Sequence, residues 1–474
     1  MALIFLLLLA FLLCLSYRPL TLRISRISTR IHGGLQACLA FALLLSCLQA
    51  VIMVGKDYPA RLALLQELNG QGIRLAGQVV NSEPATRGGY RTTVATHQLS
   101  KYPSTYEAAI SLHIYTEQLF VPGSSVTGVG RFRVQGSYYS VKGALRYQGG
   151  APSAPAIFLL KNELRAKATR EIGADEAGLV LGMAYGDDTP LSEQAVNALR
   201  ASGLTHLTAV SGSNITLIFV LAYRLVQQLG LPRLLLICSG LGAATLYVSV
   251  VGPDGSVLRA WTMGLLGAVG LVLGHGAYRL TLLSSCLIGL LFISPELATD
   301  YGFVLSVTAT ASLMLLAPAI TRLLCHIFPL LWAEVLALPL AASLWCAPVI
   351  LLLSESFYPY TVLANILVAP FVAPITLAGL AALLASSLNY ADQAASFFLQ
   401  CGGLGAQTVH WVSRWCYDLP GSRIPLEVSP HNLLLTLFGV AAVSAIVLVT
   451  DARINTPQDS RVPALFDVGG SGIA

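Results

Sequence analysis

Twelve consecutive residues, Thr205-His206-Leu207-Thr208-Ala209-Val210-Ser211-Gly212-Ser213-Asn214-Ile215-Thr216, carry seven hydrogen-bonding side chains at the head of an apolar run that reaches Leu229. Polar groups without partners are costly in hydrocarbon, so a span that begins this way belongs in a bundle interior or beside water. There it can line a path for a polar solute, which makes His206, Ser211, Ser213 and Asn214 candidate path residues. The same residue types also glue membrane helices together by packing alone. Ser211 preceded by His206 offers a nucleophile and a base as well, which keeps an intramembrane serine hydrolase as an alternative. Against it, Ala209 stands where a GxSG pattern wants glycine, and a spacing of five does not stack two side chains on one helix face.

Other polar positions interrupt apolar segments. In Pro253-Asp254-Gly255-Ser256-Val257-Leu258-Arg259-Ala260-Trp261 the arginine lies one turn inside a span. A cation there lines a polar path, pairs, or snorkels to the surface; Arg259 joins the path candidates. In Gly186-Asp187-Asp188-Thr189-Pro190 two carboxylates either meet a cation or serve turn chemistry, and Asp187 is the last path candidate. Pro370 and Pro374 should kink or unwind their span, giving the path a second wall.

The chain has 474 residues, 55% hydrophobic and 11% charged, with a mean hydropathy of +0.71. Soluble domains carry roughly 25% charged residues, so the fold class is a polytopic α-helical membrane protein. Nine cysteines lie in or beside apolar segments without a CxxC pair. That argues against a zinc site or disulfide framework and leaves them as small buried hydrophobes. No GxxxxGK[ST] loop occurs, so no cofactor is expected and any driving force comes from elsewhere.

Residues 1–54 read as two spans. The first apolar run has its basic flank behind it (Arg18, Arg23, Arg26, Arg30), unlike a signal peptide, which places the N-terminus outside and the arginine loop in the cytoplasm. Residues 55–160 differ in kind. Five alternating segments, 73–80, 90–97, 109–115, 125–134 and 143–147, are separated by clusters such as Asn81-Ser82-Glu83-Pro84 and predict a small extracytoplasmic antiparallel barrel or sandwich, an OB-like one among the candidates. Ten basic residues face five acidic ones between residues 55 and 150, with tyrosines interleaved. Basic grooves with aromatic platforms hold single-stranded nucleic acid without sequence preference. Arg74, Arg87, Arg91, Lys101, Arg131, Arg133, Tyr138 and Tyr139 are therefore DNA-binding candidates. The plain alternative is a soluble domain with its charges in water and its tyrosines in the core.

Residues 161–205 predict interfacial helices, an amphipathic one from Asn162 to about Tyr185 and a second ending at Ser202-Gly203. Residues 206–450 hold apolar runs at 206–229, 234–251, 257–273, 280–293, 303–320, 331–353, 361–388 and 433–449, for about ten spans in all. Arg224, Arg233, Arg279 and Arg322 then fall on cytoplasmic turns, and Asp254, Glu296, Asp300 and Glu355 on outer ones. Residues 391–417 read as an interfacial helix on the cytoplasmic side, and 451–474 as a disordered tail.

Four motifs in order resemble the ComEC family, competence proteins that move a single strand of transforming DNA across the cytoplasmic membrane. They are Gly178-Leu179-Val180-Leu181-Gly182-Met183-Ala184-Tyr185-Gly186-Asp187-Asp188-Thr189-Pro190-Leu191-Ser192, Gly203-Leu204-Thr205-His206-Leu207-Thr208-Ala209-Val210-Ser211-Gly212, Ser256-Val257-Leu258-Arg259-Ala260 with Met263, and Tyr301-Gly302-Phe303-Val304-Leu305-Ser306. The resemblance covers roughly Thr169 to Thr450, and the two N-terminal spans and the β-domain resemble that family's OB-like module. Many relatives carry Leu-His after the Ser-Gly pair, where this chain has Ser213-Asn214. The metallo-β-lactamase-like domain that often follows, with its HxHxDH signature, has no counterpart here, so degradation of the other strand would fall to a separate protein. The resemblance implies a multi-pass protein of the bacterial plasma membrane that takes up single-stranded DNA in natural transformation. It implies no enzymatic activity, and partners in a cytoplasmic helicase-like motor, a DNA-receptor protein, the lipid bilayer and further copies of the chain. A small-solute or lipid transporter is the remaining alternative, and it predicts that transport survives loss of the β-domain.

Overall fold

The computed structural model describes residues 67–84, 90–101, 104–135, 138–148, 155–252, 254–272, 279–388 and 392–454. The two N-terminal spans, Arg87 and the expected disordered residues beyond 454 lie outside these.

Alternating sequence makes the first domain. Ile73, Leu75 and Val79 of β1 (Gly72–Pro84), Val94 and Leu99 of β2 (Tyr90–Lys101), Leu112 and Ile114 of β3 (Ser104–Thr116), Val126 and Phe132 of β4 (Ser125–Gln135), and Val141 and Leu145 of β5 (Tyr138–Tyr147) all point inward. With Leu68 and Phe120 they form one core. The strands close into a barrel of order β1-β2-β3-β5-β4, with β1 also paired to β4. This five-stranded, OB-like arrangement is antiparallel except where β3 meets β5 in parallel, His113 opposite Ser140 and Ile114 opposite Val141. Asn81 to Pro84 is not the expected break. It continues β1 opposite Thr93 to Tyr90 after a bulge, because Ser82 is buried and its hydroxyl lies 2.9 Å from that of Thr92. Gly130 and Gly143 face each other across β4 and β5, and a Cβ on Gly143 would strike the Val129 carbonyl and Gly130 Cα.

After the barrel come α1 (Ala156–Ile172), α2 (Ala174–Tyr185) and α3 (Glu193–Ala201). The sequence predicts one helix from 162 to 185; the structure breaks it at Gly173, whose φ of +90° and ψ of 161° lie outside the helical region and suit only glycine. Nor is α2 amphipathic: Ala177 through Tyr185 are all buried. A helix apolar on all sides must be enclosed, and glycines make room for it, since Gly379 and Gly402 lie against Val180.

The described chain forms two compact units. One holds the barrel, the residues through Glu193 and residues 375–406; the other holds residues 194–374 and 407–454. The helices that follow α3 are α4 (Gly212–Gln227), α5 (Arg233–Val251), α6 (Gly255–Val272), α7 (Arg279–Ile293), α8 (Tyr301–Leu315), α9 (Ala317–Leu324), α10 (Leu330–Ser354), α11 (Thr361–Ser386), α12 (Asp392–Asp418) and α13 (Pro430–Ile454). Among the described residues six segments are long and apolar enough to cross a membrane: 205–227, α5, α6, α10, α11 and 431–454. A seventh arises if α8 and α9 form one span. The protein is therefore a polytopic helical membrane protein with a small β-barrel domain.

Two expected spans differ. Residues 303–320 are not straight: α8 and α9 meet at 43°, with Pro318 in the first turn of α9, where a missing N–H is tolerated. The run at 280–293 forms a helix of only 15 residues, about 22 Å long against a hydrocarbon core of about 30 Å. Conversely, α11 runs unbroken through Pro370 and Pro374, so the predicted unwinding is absent. Trp345 of α10 anchors the core of the second unit, donating from Nε1 to Ser444 Oγ of α13 at 2.9 Å. In the same unit Arg322 of α9 grips Asp451 of α13 with two hydrogen bonds.

Candidate functional site

The polar stretch does not form one helix. Thr205–Leu207 is a single 3-10 turn, and α4 starts only at Gly212, after Ser211 in an extended conformation. The break exposes backbone N–H groups at the head of α4, which carries the positive end of the helix dipole. Ser211 Oγ lies 2.5 Å from Ser213 Oγ and donates to Asn214 Oδ1 at 3.1 Å. Asn214 is buried and shares a hydrogen bond with Tyr247 of α5. Ser256 Oγ, at the start of α6, donates to the Val210 carbonyl at 3.3 Å.

Arg259 of α6 completes the cluster. A Cβ on Gly212 would sit 3.2 Å from its Nη2, so the guanidinium packs directly against the first residue of α4. Its Nε donates to Ser306 Oγ of α8 at 2.9 Å and its Nη1 to Met263 Sδ at 3.3 Å. It is only 7% exposed, and among the described residues it has no carboxylate partner. A buried cation beside the positive end of a helix is an arrangement that favours an anion.

Of the path candidates, the structure thus brings together Ser211, Ser213, Asn214 and Arg259. His206 sits in the adjacent turn, its Nδ1 donating to the Gly203 carbonyl at 3.1 Å. It makes no hydrogen bond to Ser211, whose hydroxyl is engaged by Ser213 and Asn214. Asp187 belongs to the other unit. It is buried, accepting from Arg165 Nε at 2.7 Å and Thr189 Oγ1 at 2.7 Å, which fits the turn chemistry open to it from the sequence. Beside it, burial pushes the Lys161 amine below its ordinary value of 10.5, against the pull of Asp187. Ser256, Ser306 and Tyr247 escaped the sequence reading, although Ser256 and Ser306 stand inside its quoted motifs.

On the barrel, Arg74, Arg131 and Arg133 are exposed on β1 and β4. Strand register adds two residues beyond the sequence candidates, Lys142 opposite Arg131 and Arg146 opposite Thr127. Arg91 lies across β2 and β3 from Tyr115, and Lys101 is 3.8 Å from Glu67. Tyr138 and Tyr139 open β5, opposite Gln135 and Val134.

A family model described as Competence protein matches residues 183–451, which include every element of the Arg259 cluster. ComE operon protein 3 of Bacillus subtilis (strain 168) is 24% identical over 280 residues. That alignment covers 58% of this chain and 34% of the relative, so the chain spans about a third of the relative's length. No solved structure matches. With more than half of its length, including the polar break and its buried arginine, under that family model, the chain belongs to the competence protein family.

Proposed function

We propose that this chain is a membrane conduit that takes up single-stranded DNA across the bacterial cytoplasmic membrane during natural transformation. Arg259 carries the reading. Its guanidinium is buried against the head of α4 with two serines and an asparagine nearby and, among the described residues, no carboxylate to balance it. A passing phosphate supplies the missing charge at each step, and the lack of a fixed counter-ion lets it leave again. The barrel collects the strand electrostatically on its basic surface, with a grip that weakens as salt rises. The strand is drawn inward by a cytoplasmic helicase-like motor after delivery by a receptor protein, since the chain has no phosphate-binding loop for nucleotide hydrolysis. The engagement of Ser211 by Ser213 and Asn214, and of His206 by Gly203, favours a conduit over a hydrolase.

The test compares uptake of labelled DNA into a nuclease-protected compartment, and transformation efficiency, for wild type, Arg259→Gln, Asn214→Ala and Ser211→Ala at matched membrane levels. Arg259→Gln should lose at least about tenfold, the loss expected when one charge-assisted contact of about 1.5–3 kcal/mol disappears. Asn214→Ala should lose less, and Ser211→Ala should stay largely active. A dead Ser211→Ala beside an active Arg259→Gln would move the hydrolase ahead, and unchanged uptake in all three would end the conduit reading.

A further inference from the structure

We propose that Tyr247 of α5 is a positioning residue for the head of α4. Through Asn214 it draws the Ser211 hydroxyl away from capping that helix, and so keeps the Ser213 N–H open to a phosphate of the passing strand. The inference rests on the reading of the Arg259 cluster as a station for phosphates and goes further, naming the residue that holds the helix start open.

Serine is among the strongest N-caps because its hydroxyl accepts from a backbone N–H two or three residues on. Ser211 stands at that position of α4, in the extended conformation a cap requires (φ −95°, ψ 158°), and yet makes no capping hydrogen bond. Its hydroxyl is engaged elsewhere. It donates to Asn214 Oδ1 at 3.1 Å and lies 2.5 Å from Ser213 Oγ. The Asn214 N–H is taken by the Ser211 carbonyl at 3.1 Å. Among the described residues the Ser213 N–H has no acceptor. Beside it the buried guanidinium of Arg259 brings Nη2 against Gly212. A buried cation and an uncapped helix start therefore meet at one place, and both favour an anion there.

The sequence of α5 places Tyr247 for this role. Leu236, Gly240, Ala244 and Tyr247 are buried and recur at the spacing of one helix face. Gly240 lets α4 come close, since a Cβ there would lie 2.9 Å from two carbons of the Phe219 ring. Two turns further on, the same face carries Tyr247, which shares a hydrogen bond with the buried side chain of Asn214. An amide held by Ser211 at one end and Tyr247 at the other keeps its oxygen toward the serine. Without the tyrosine hydroxyl the amide is free to turn its nitrogen there instead. The Ser211 hydroxyl then has no carbonyl oxygen to donate to, and its own oxygen can accept from the Ser213 N–H. The cap forms, and the N–H is lost to the strand. Tyr247 therefore keeps α4 uncapped, at some cost to that helix.

The experiment uses the full chain. Uptake of labelled DNA into a nuclease-protected compartment is measured at matched membrane levels for wild type, for Arg259→Gln, and for Tyr247→Phe and Asn214→Ala, each with and without Ser211→Ala. Hydrogen exchange of residues 205–216 is followed on the same proteins in nanodiscs of zwitterionic lipid. Tyr247→Phe should cut uptake about three- to fivefold, the effect of one neutral hydrogen bond, and should slow exchange at the helix start as the cap forms. Adding Ser211→Ala removes the capping hydroxyl, so uptake should return to within about twofold of wild type and exchange to the wild-type rate. A tyrosine that only packs α5 against α4 produces the reverse: exchange quickens, and Ser211→Ala restores nothing. That result, or full uptake in Tyr247→Phe, overturns the inference, while a loss in Arg259→Gln leaves the conduit reading standing. Wild-type uptake in Arg259→Gln removes that reading and the inference with it. Should Tyr247→Phe fail to reach the membrane, Asn214→Ala with and without Ser211→Ala decides the same question, because it frees the serine from the same bond.

Discussion

Replacing Arg259 by Met should make the protein more stable and less active at once. The side chain is 7% exposed, and holding an ion so deeply costs several kcal/mol even after relaxation. Against that stand one charge-assisted hydrogen bond to Ser306 at 2.9 Å, about 1.5–3 kcal/mol, and a contact to the weak acceptor Met263 Sδ at 3.3 Å. Methionine keeps an unbranched stem of adaptable shape and removes the charge, while the Ser306 hydroxyl it abandons can turn toward a carbonyl one helical turn back. The balance is a gain of about 2 kcal/mol, within the range seen when buried ions give way to apolar residues. At about 2–4 °C per kcal/mol, the midpoint should rise by roughly 4–8 °C in detergent, read by size-exclusion survival after heating, while protected DNA uptake collapses. Opposite signs are what a charge kept for a ligand produces. A fall of more than about 5 °C in Arg259→Met, matched by Ser306→Ala, would refute the reasoning and make the arginine a strut between α6 and α8.

Two further predictions concern packing and pH. Gly203 has a φ of +69° and lies against the Thr361 side chain where a Cβ would project; Gly203→Ala should cost about 2–4 kcal/mol from strain and overpacking together. Adding Thr361→Ala should recover only part of the lost midpoint, and full recovery would mean that the backbone is unstrained. Lys161 has a folded pKa below its unfolded one. Below both values the folded state bears the whole penalty of the buried charge, and the penalty fades as pH climbs through the folded value toward 10.5. Lys161→Met should therefore raise the thermal midpoint at pH 7, with a gain that shrinks by pH 10; a gain independent of pH would point to packing instead.

The elements most legible in the sequence were those whose evidence is local. Alternation marked all five strands, and the clash between polar residues and an apolar run marked the break before α4. Arg259 was legible because an arginine inside a span is conspicuous in itself. What escaped depends on distant chain. Ser306 lies 47 residues after Arg259, and Lys142 reaches Arg131 only through the register of β4 on β5. Gly173 gave little signal because glycine within a helical pattern is usually tolerated, whereas here the chain turns through a conformation that glycine alone takes easily. Asn81 to Pro84 misled for the opposite reason: turn-forming residues were held extended by a buried hydroxyl pair. Among the prolines, position within the helix mattered more than presence, since Pro318 opens α9 while Pro370 and Pro374 are absorbed by α11.

The grip of Arg322 on Asp451 spans 129 residues. A chain delivered to the bilayer from its N-terminus brings in the arginine of α9 long before the matching carboxylate has been synthesised. Until then the arginine has no Asp451 to meet, and its charge favours water or lipid headgroups over the bundle interior. The arrival of α13 settles it. The pair therefore closes only after α13 is made, so an unfinished bundle and a finished one differ at Arg322.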